Sequence, residues 1–138
     1  MKYIITFLSI LFTINLSYSQ TDVSGAISSD TTWGTSGSPY TVTGNVLVSS
    51  GVTLTIEAGV TVKIDTSKTI QIKGKLLAIG TSSNRIVFTS NKENPSKGDW
   101  GYIDITDSSI DPTYDGSGNY SDGTTLQYVD ITYSGSTG

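Results

Sequence analysis

The stretch Gly51-Val52-Thr53-Leu54-Thr55-Ile56 returns eight residues later as Gly59-Val60-Thr61-Val62-Lys63-Ile64. No other feature constrains the fold as tightly. In each copy apolar side chains alternate with polar ones, so one set faces a core and the other faces water. Between the copies stand only Glu57 and Ala58. A two-residue hairpin would call for Asn-Gly or Asp-Gly there, because its turn needs positive φ. The chain is therefore expected to bend at Glu57-Ala58-Gly59 onto a new face without reversing. That is how a solenoid coil turns.

Longer echoes extend the pattern. Gly44-Asn45-Val46-Leu47-Val48 is followed thirty residues on by Gly74-Lys75-Leu76-Leu77-Ala78. Tyr102-Ile103-Asp104-Ile105-Thr106 returns twenty-six residues on as Tyr128-Val129-Asp130-Ile131-Thr132. Spacings of this size mark stacked repeats, each burying its inward residues on its neighbours. The reading expects equivalent strands to pile up rung over rung, about 4.8 Å apart. Unequal spacings follow where loops of different length leave the corners. Residues 107–124, rich in Gly, Ser and Asp and without alternation, are expected to be such an excursion.

Several of these segments resemble a known family. Pro39-Tyr40-Thr41-Val42-Thr43-Gly44-Asn45-Val46, with Gly51 to Val60, is similar to the opening coils of exported bacterial right-handed β-helix proteins of the pectin-lyase-like superfamily. Gly74 to Thr81, Ile86-Val87-Phe88-Thr89-Ser90 and Gly98-Asp99-Trp100-Gly101-Tyr102-Ile103 resemble that family's next coils. The likeness covers roughly residues 33–135. It implies an all-β, right-handed single-stranded parallel β-helix of three to four coils, with further coils after Gly138. It implies no particular activity, since this architecture hosts lyases, hydrolases, adhesins and passive stalks. The competing fold is an antiparallel β-sandwich, which would also alternate and be turn-rich. That fold gives no reason for the eight-residue echo.

The expected organisation has three parts. Residues 1–20 read as a secretory signal: Lys2 gives the positive start, Tyr3 to Leu16 are mostly apolar, and Ser17 and Ser19 suit a signal peptidase. The apolar stretch is shorter than the roughly 20 residues of a membrane span, and Thr6, Ser9 and Thr13 interrupt it. Residues 21–39 read as a polar leader or cap. Residues 40–138 form the coils. The protein is expected to be secreted or held at the cell surface, with no membrane span after signal cleavage.

Composition removes several kinds of chemistry. The formal net charge is −4, becoming −5 once Lys2 is lost with the signal. Such a chain lacks the basic face that nucleic acid requires. There is no Cys and no His, so disulfides, thiol and histidine nucleophile systems and histidine metal sites are absent from this sequence. The glycines fall at strand starts and corners and form no phosphate loop. No residue is assigned a catalytic, cofactor-binding or metal-binding role.

The remaining candidates each have a plainer reading. If the two Tyr-Xaa-Asp-Ile-Thr copies stack, Asp104 and Asp130 would face each other, and Ca²⁺ would relieve their repulsion. Exposed acids separated by water serve as well. Asp115-Gly116-Ser117-Gly118-Asn119, within 111–122, spaces oxygens as a calcium loop does. However, Tyr120 and Leu126 stand where such a loop needs glycine and a bidentate acid, so a turn fits better. Arg85, the one arginine, is expected at a solvated corner. Thr41, Thr43, Thr53, Thr55 and Thr61 read as outward threonines, but Glu57, Lys63 and Lys73 break any flat ice-binding array. Trp100 is expected to pack at a corner, and Trp33 to cover the open lower end of the first coil.

The functional expectation is a secreted or cell-surface β-helix scaffold contacting polysaccharide or other surface ligands. The alternatives are the N-terminal part of a polysaccharide lyase or glycoside hydrolase, and a passive stalk. Residues 21–138 made alone are expected to self-associate through the open last coil.

Overall fold

The computed structural model describes residues 20–135. The signal-peptide expectation lies outside the described residues except at Gln20. Short strands dominate the described chain, with one 3-10 turn at Thr35–Gly37.

The strands build three faces. On the first lie β1 (Thr21–Ile27), β3 (Tyr40–Val48), β5 (Thr61–Ile64), β8 (Ile86–Ser90) and β13 (Val129–Ile131), one above the other. The second holds the far halves of β1 and β3, then β6 (Ile70–Ile72) and β9 (Ile103–Ile105). The third stacks β2 (Thr31–Trp33), β4 (Thr53–Ile56), β7 (Lys75–Ile79) and β12 (Thr125–Gln127). Every pairing on these faces is parallel. The one antiparallel pair among the described residues, β10 (Thr113–Tyr114) with β11 (Tyr120–Asp122), is a hairpin inside the 107–124 excursion. The fold is a parallel β-helix, and the sandwich alternative is excluded.

Period-two alternation fills the interior. Tyr40, Val62 and Phe88 form one inward column, Val48 and Ile72 another, and Leu54 and Leu76 a third. All are buried. Burying each aliphatic side chain stabilises the stack by about 1.5–3 kcal/mol relative to exposure. With no cysteine in the chain, packing and backbone pairing carry the stability. At the lower end Trp33 is buried and stacks on Tyr40, ring centroids 5.0 Å apart. It lines a cavity there with Val23, Ile27 and Val46.

Corners set the uneven spacing. Between the first and second faces, β3 runs straight through as a bent strand, whereas the same corner higher up takes residues 65–69 and then 91–102. Glu57-Ala58-Gly59 turns the chain from the third face to the first, with Gly59 at φ 86°, as its sequence predicts. Lys73-Gly74 makes the tightest turn from second face to third. A Cβ on Gly74 would collide with the carbonyl oxygens of Ser49 and Val52 one coil below. Backbone N–H groups left over at corners find side chains of the neighbouring coil. Thr53 N donates to Asp30 Oδ1 at 2.8 Å, Thr61 N to Ser38 Oγ at 3.0 Å and Thr69 N to Asn45 Oδ1 at 3.1 Å. An unpaired backbone donor there would cost about as much as a lost hydrogen bond.

Two expectations of register fail. Gly44–Val48 lies on the second face and Gly74–Ala78 at the third, so the thirty-residue echo is not a stacking repeat. Tyr102–Thr106 supplies β9 on the second face, paired with β6. Tyr128–Thr132 supplies β13 on the first, paired with β8. The same five-residue pattern serves two faces because each strand needs only inward apolar residues and an outward polar one. Residues 21–39, expected as a polar leader or cap, add a rung: β1 pairs along β3, and β2 pairs with β4.

Candidate functional site

The outer surface of the second face carries a shallow polar groove of about 230 Å³. Three successive rungs build it. Leu47, Gln71 and Asp104 stand in direct register on β3, β6 and β9. Asn45, Thr69 and Tyr102, two residues before each, complete the lining with Val46. Strand alternation explains the placement: Val46, Val48, Ile70 and Ile72 point inward and are buried, so the residues between them must point out.

Two features distinguish the groove chemically. Gln71 Nε2 donates to Asp104 Oδ2 at 2.8 Å, a rung-to-rung hydrogen bond to a charged acceptor. Tyr102 is 56% exposed, which leaves an aromatic ring beside that polar pair. Among the described residues no lysine or arginine lines the groove. Such a surface can accept hydrogen bonds from hydroxyl or amine groups and offer a ring face to apolar C–H groups.

The predicted site residues fall elsewhere or alone. Asp104 and Asp130 lie on different faces, so the stacking that would have set the two acids opposite each other does not occur. Asp104 belongs to the groove. Asp130 instead takes both teeth of the Arg85 guanidinium, from Nε and from Nη2, each at 2.7 Å. Arg85 also lies 6.0 Å over the Tyr128 ring. Arg85 is exposed at the corner before β8, as expected, and ties that corner to the coil above. Its hydrogen bond is the first cause of the lowering of Asp130's pKa.

In the 111–122 loop, the Asp115 carboxylate accepts from the backbone N–H of Ser117 at 2.8 Å and of Asn119 at 2.9 Å. Those donors lower its pKa, Asn119 foremost. Lys75 anchors this excursion to β7 through Asp122 at 2.7 Å. Among the described residues no three His, Cys, Asp or Glu side chains gather as metal ligands would.

The threonines form no single array. Thr41 and Thr61 are on the first face, Thr53 and Thr55 on the third. Thr41, expected outside, is 1% exposed, and its Oγ1 has no hydrogen-bond partner among the described residues. Trp100 is fully buried at the corner before β9 and donates from Nε1 to Thr132 O at 2.7 Å. Beside it Asp99 is buried and accepts from Lys92 Nζ at 2.7 Å and from Ser96 N at 2.8 Å. Lys92 first, then Ser96, holds the Asp99 carboxyl far below the usual carboxylate range. This corner is structural. It seats Tyr102 at the mouth of the groove.

Sequence reasoning did not single out Asn45, Thr69, Gln71 or Tyr102 as site residues. They lie at residue 45, 69, 71 and 102, and only the register of three coils brings them together.

A family model described as a pectate-lyase-like β-helix domain matches residues 25–137. No curated protein and no solved structure matches the chain. The matched span begins within β1 and continues past β13, so the family's domain and the parallel stack coincide. The chain belongs to the pectate-lyase-like β-helix domain family.

Proposed function

We propose that this chain is a secreted or cell-surface β-helix scaffold that contacts polysaccharide through the outer groove of its second face. Export rests on the leader-like residues 1–20. The single observation that carries the binding reading is the exposed Tyr102 ring beside the registered Gln71–Asp104 pair. Sugars present hydroxyls at their edges and C–H groups on their faces, and this groove offers a partner for each. A face built of stacked rungs also suits a long ligand, because the same outward positions recur along the axis. Among the described residues no helix is long and apolar enough to cross a membrane.

The test is affinity electrophoresis of the protein through gels holding soluble polysaccharides of different charge. At least one polymer should retard the native chain, and Tyr102→Ala should migrate freely in it. Equal retardation of native and Tyr102→Ala protein would remove the groove from the account.

Family membership favours a second reading, in which the chain belongs to a polysaccharide lyase or glycoside hydrolase. Release of unsaturated or reducing ends from a polysaccharide by the native protein would establish it.

A further inference from the structure

We infer that the groove selects an amine-bearing polysaccharide, a polymer of glucosamine-type units, over a polyuronate; this rests on the binding reading above. The lining decides the sign of the ligand. Asp104 is the one charged residue among Asn45, Val46, Leu47, Thr69, Gln71, Tyr102 and Asp104. A uronate carboxylate laid there would meet Asp104 with no lysine or arginine in the lining to offset it, and like charges at close range are unfavourable. The chain as a whole also carries −4, which adds to the repulsion of a polyanion.

Asp104 is oriented for a donor. Gln71 occupies Oδ2 at 2.8 Å, and Oδ1 has no hydrogen-bond partner among the described residues. Gln71 thereby fixes the carboxylate in the groove while leaving one oxygen to a ligand. A hydroxyl would make a hydrogen bond to this carboxylate, and an ammonium adds opposite charge to the same contact. Tyr102 lies two residues away on the same outer surface, and an aromatic ring face attracts cations as well as C–H groups. A neutral glycan would use the ring and the amides but would leave Asp104 without its best partner.

The experiment measures binding of the full chain, in the form that accumulates on expression, to three oligomers of matched length: glucosamine, glucose and galacturonate. The glucosamine oligomer should bind up to about fivefold more tightly than the glucose oligomer, the size of one partly exposed ion pair. The galacturonate oligomer should bind weakest. Asp104→Asn should erase the preference for glucosamine while keeping the folded spectrum. Glu93→Gln removes the same charge from the 91–102 corner, outside the groove lining, and should leave the preference intact.

Equal loss in both variants would show a mere effect of net charge and overturn the inference. So would tighter binding of galacturonate, or equal binding of glucose and glucosamine, with Tyr102→Ala still abolishing retention. In those cases the binding reading stands and only the selectivity falls. Absence of binding to all three oligomers and to the polysaccharide gels would remove the binding reading itself.

Discussion

Arg85 grips Asp130 with two nitrogens, each 2.7 Å from its own carboxylate oxygen, and so clamps β13 onto the coil below. Asp99 is the buried counterpart of this surface pair, held by Lys92 and Ser96 inside a corner. Both carboxyls titrate below their ordinary value of 3.8, Asp130 through Arg85 and Asp99 through Lys92 first. A depressed folded-state pKa stabilises the fold above the unfolded value and stops doing so as pH falls through the folded one. Thermal unfolding should therefore lose midpoint temperature on going from about pH 5 to pH 2. Asp99→Asn, which cannot ionise, should melt lower at neutral pH and show a shallower acid loss. Parallel pH curves for the two proteins would contradict this assignment.

Phe88 sits fully buried between Val62 below and Ile131 above. Phe88→Ala should cost about 3–5 kcal/mol, the range for removing a buried aromatic side chain. Denaturant titration measures it. A cost below about 1 kcal/mol would mean that the column is not packed as described.

Trp33 and Tyr40 stack at the lower end, and the Tyr40 hydroxyl accepts a hydrogen bond from Gly34 N at 2.9 Å. Trp33→Ala should lower stability by about 3–5 kcal/mol, because Trp33 is buried in register directly below Ile56. Unchanged melting would show that the first coil needs no such cover.

At the upper end β9, β12 and β13 pair on one side only among the described residues. Ile105 and Ile131 are 46% and 47% exposed above fully buried columns. Residues 21–138 produced alone should self-associate through these open strands. Light scattering across a concentration series reads the outcome. A monodisperse monomer at high concentration would go against it.

The sequence revealed the winding better than the rungs. The echo between Gly51–Ile56 and Gly59–Ile64 located a true corner, because both strands are complete and the turn between them is too short to hide insertions. Tyr102–Thr106 and Tyr128–Thr132 misled, because an alternating strand beside a tyrosine corner looks the same on any face. Register was hidden by the corners. Ile70 pairs with Ile103 across the long 91–102 loop, and Ala78 pairs with Leu126 across the hairpin excursion. The groove inherited that difficulty. Gln71 and Asp104 become neighbours only after the intervening loop is folded away, and neither residue carries a local motif for binding. Arg85 was legible as a corner residue, but its partner lay forty-five positions onward with no pattern to announce it.

The register itself can be read with paired cysteines, since the chain has none of its own. Lys63 and Thr89 are outward partners on β5 and β8. Neighbouring parallel strands hold such positions about 4.8 Å apart, within reach of a disulfide. Oxidation should link the Lys63→Cys/Thr89→Cys protein within one chain and leave the Asp104→Cys/Asp130→Cys protein unlinked, because those two lie on different faces. A bond between positions 104 and 130, with none between 63 and 89, would contradict the stacked parallel winding on which the groove depends.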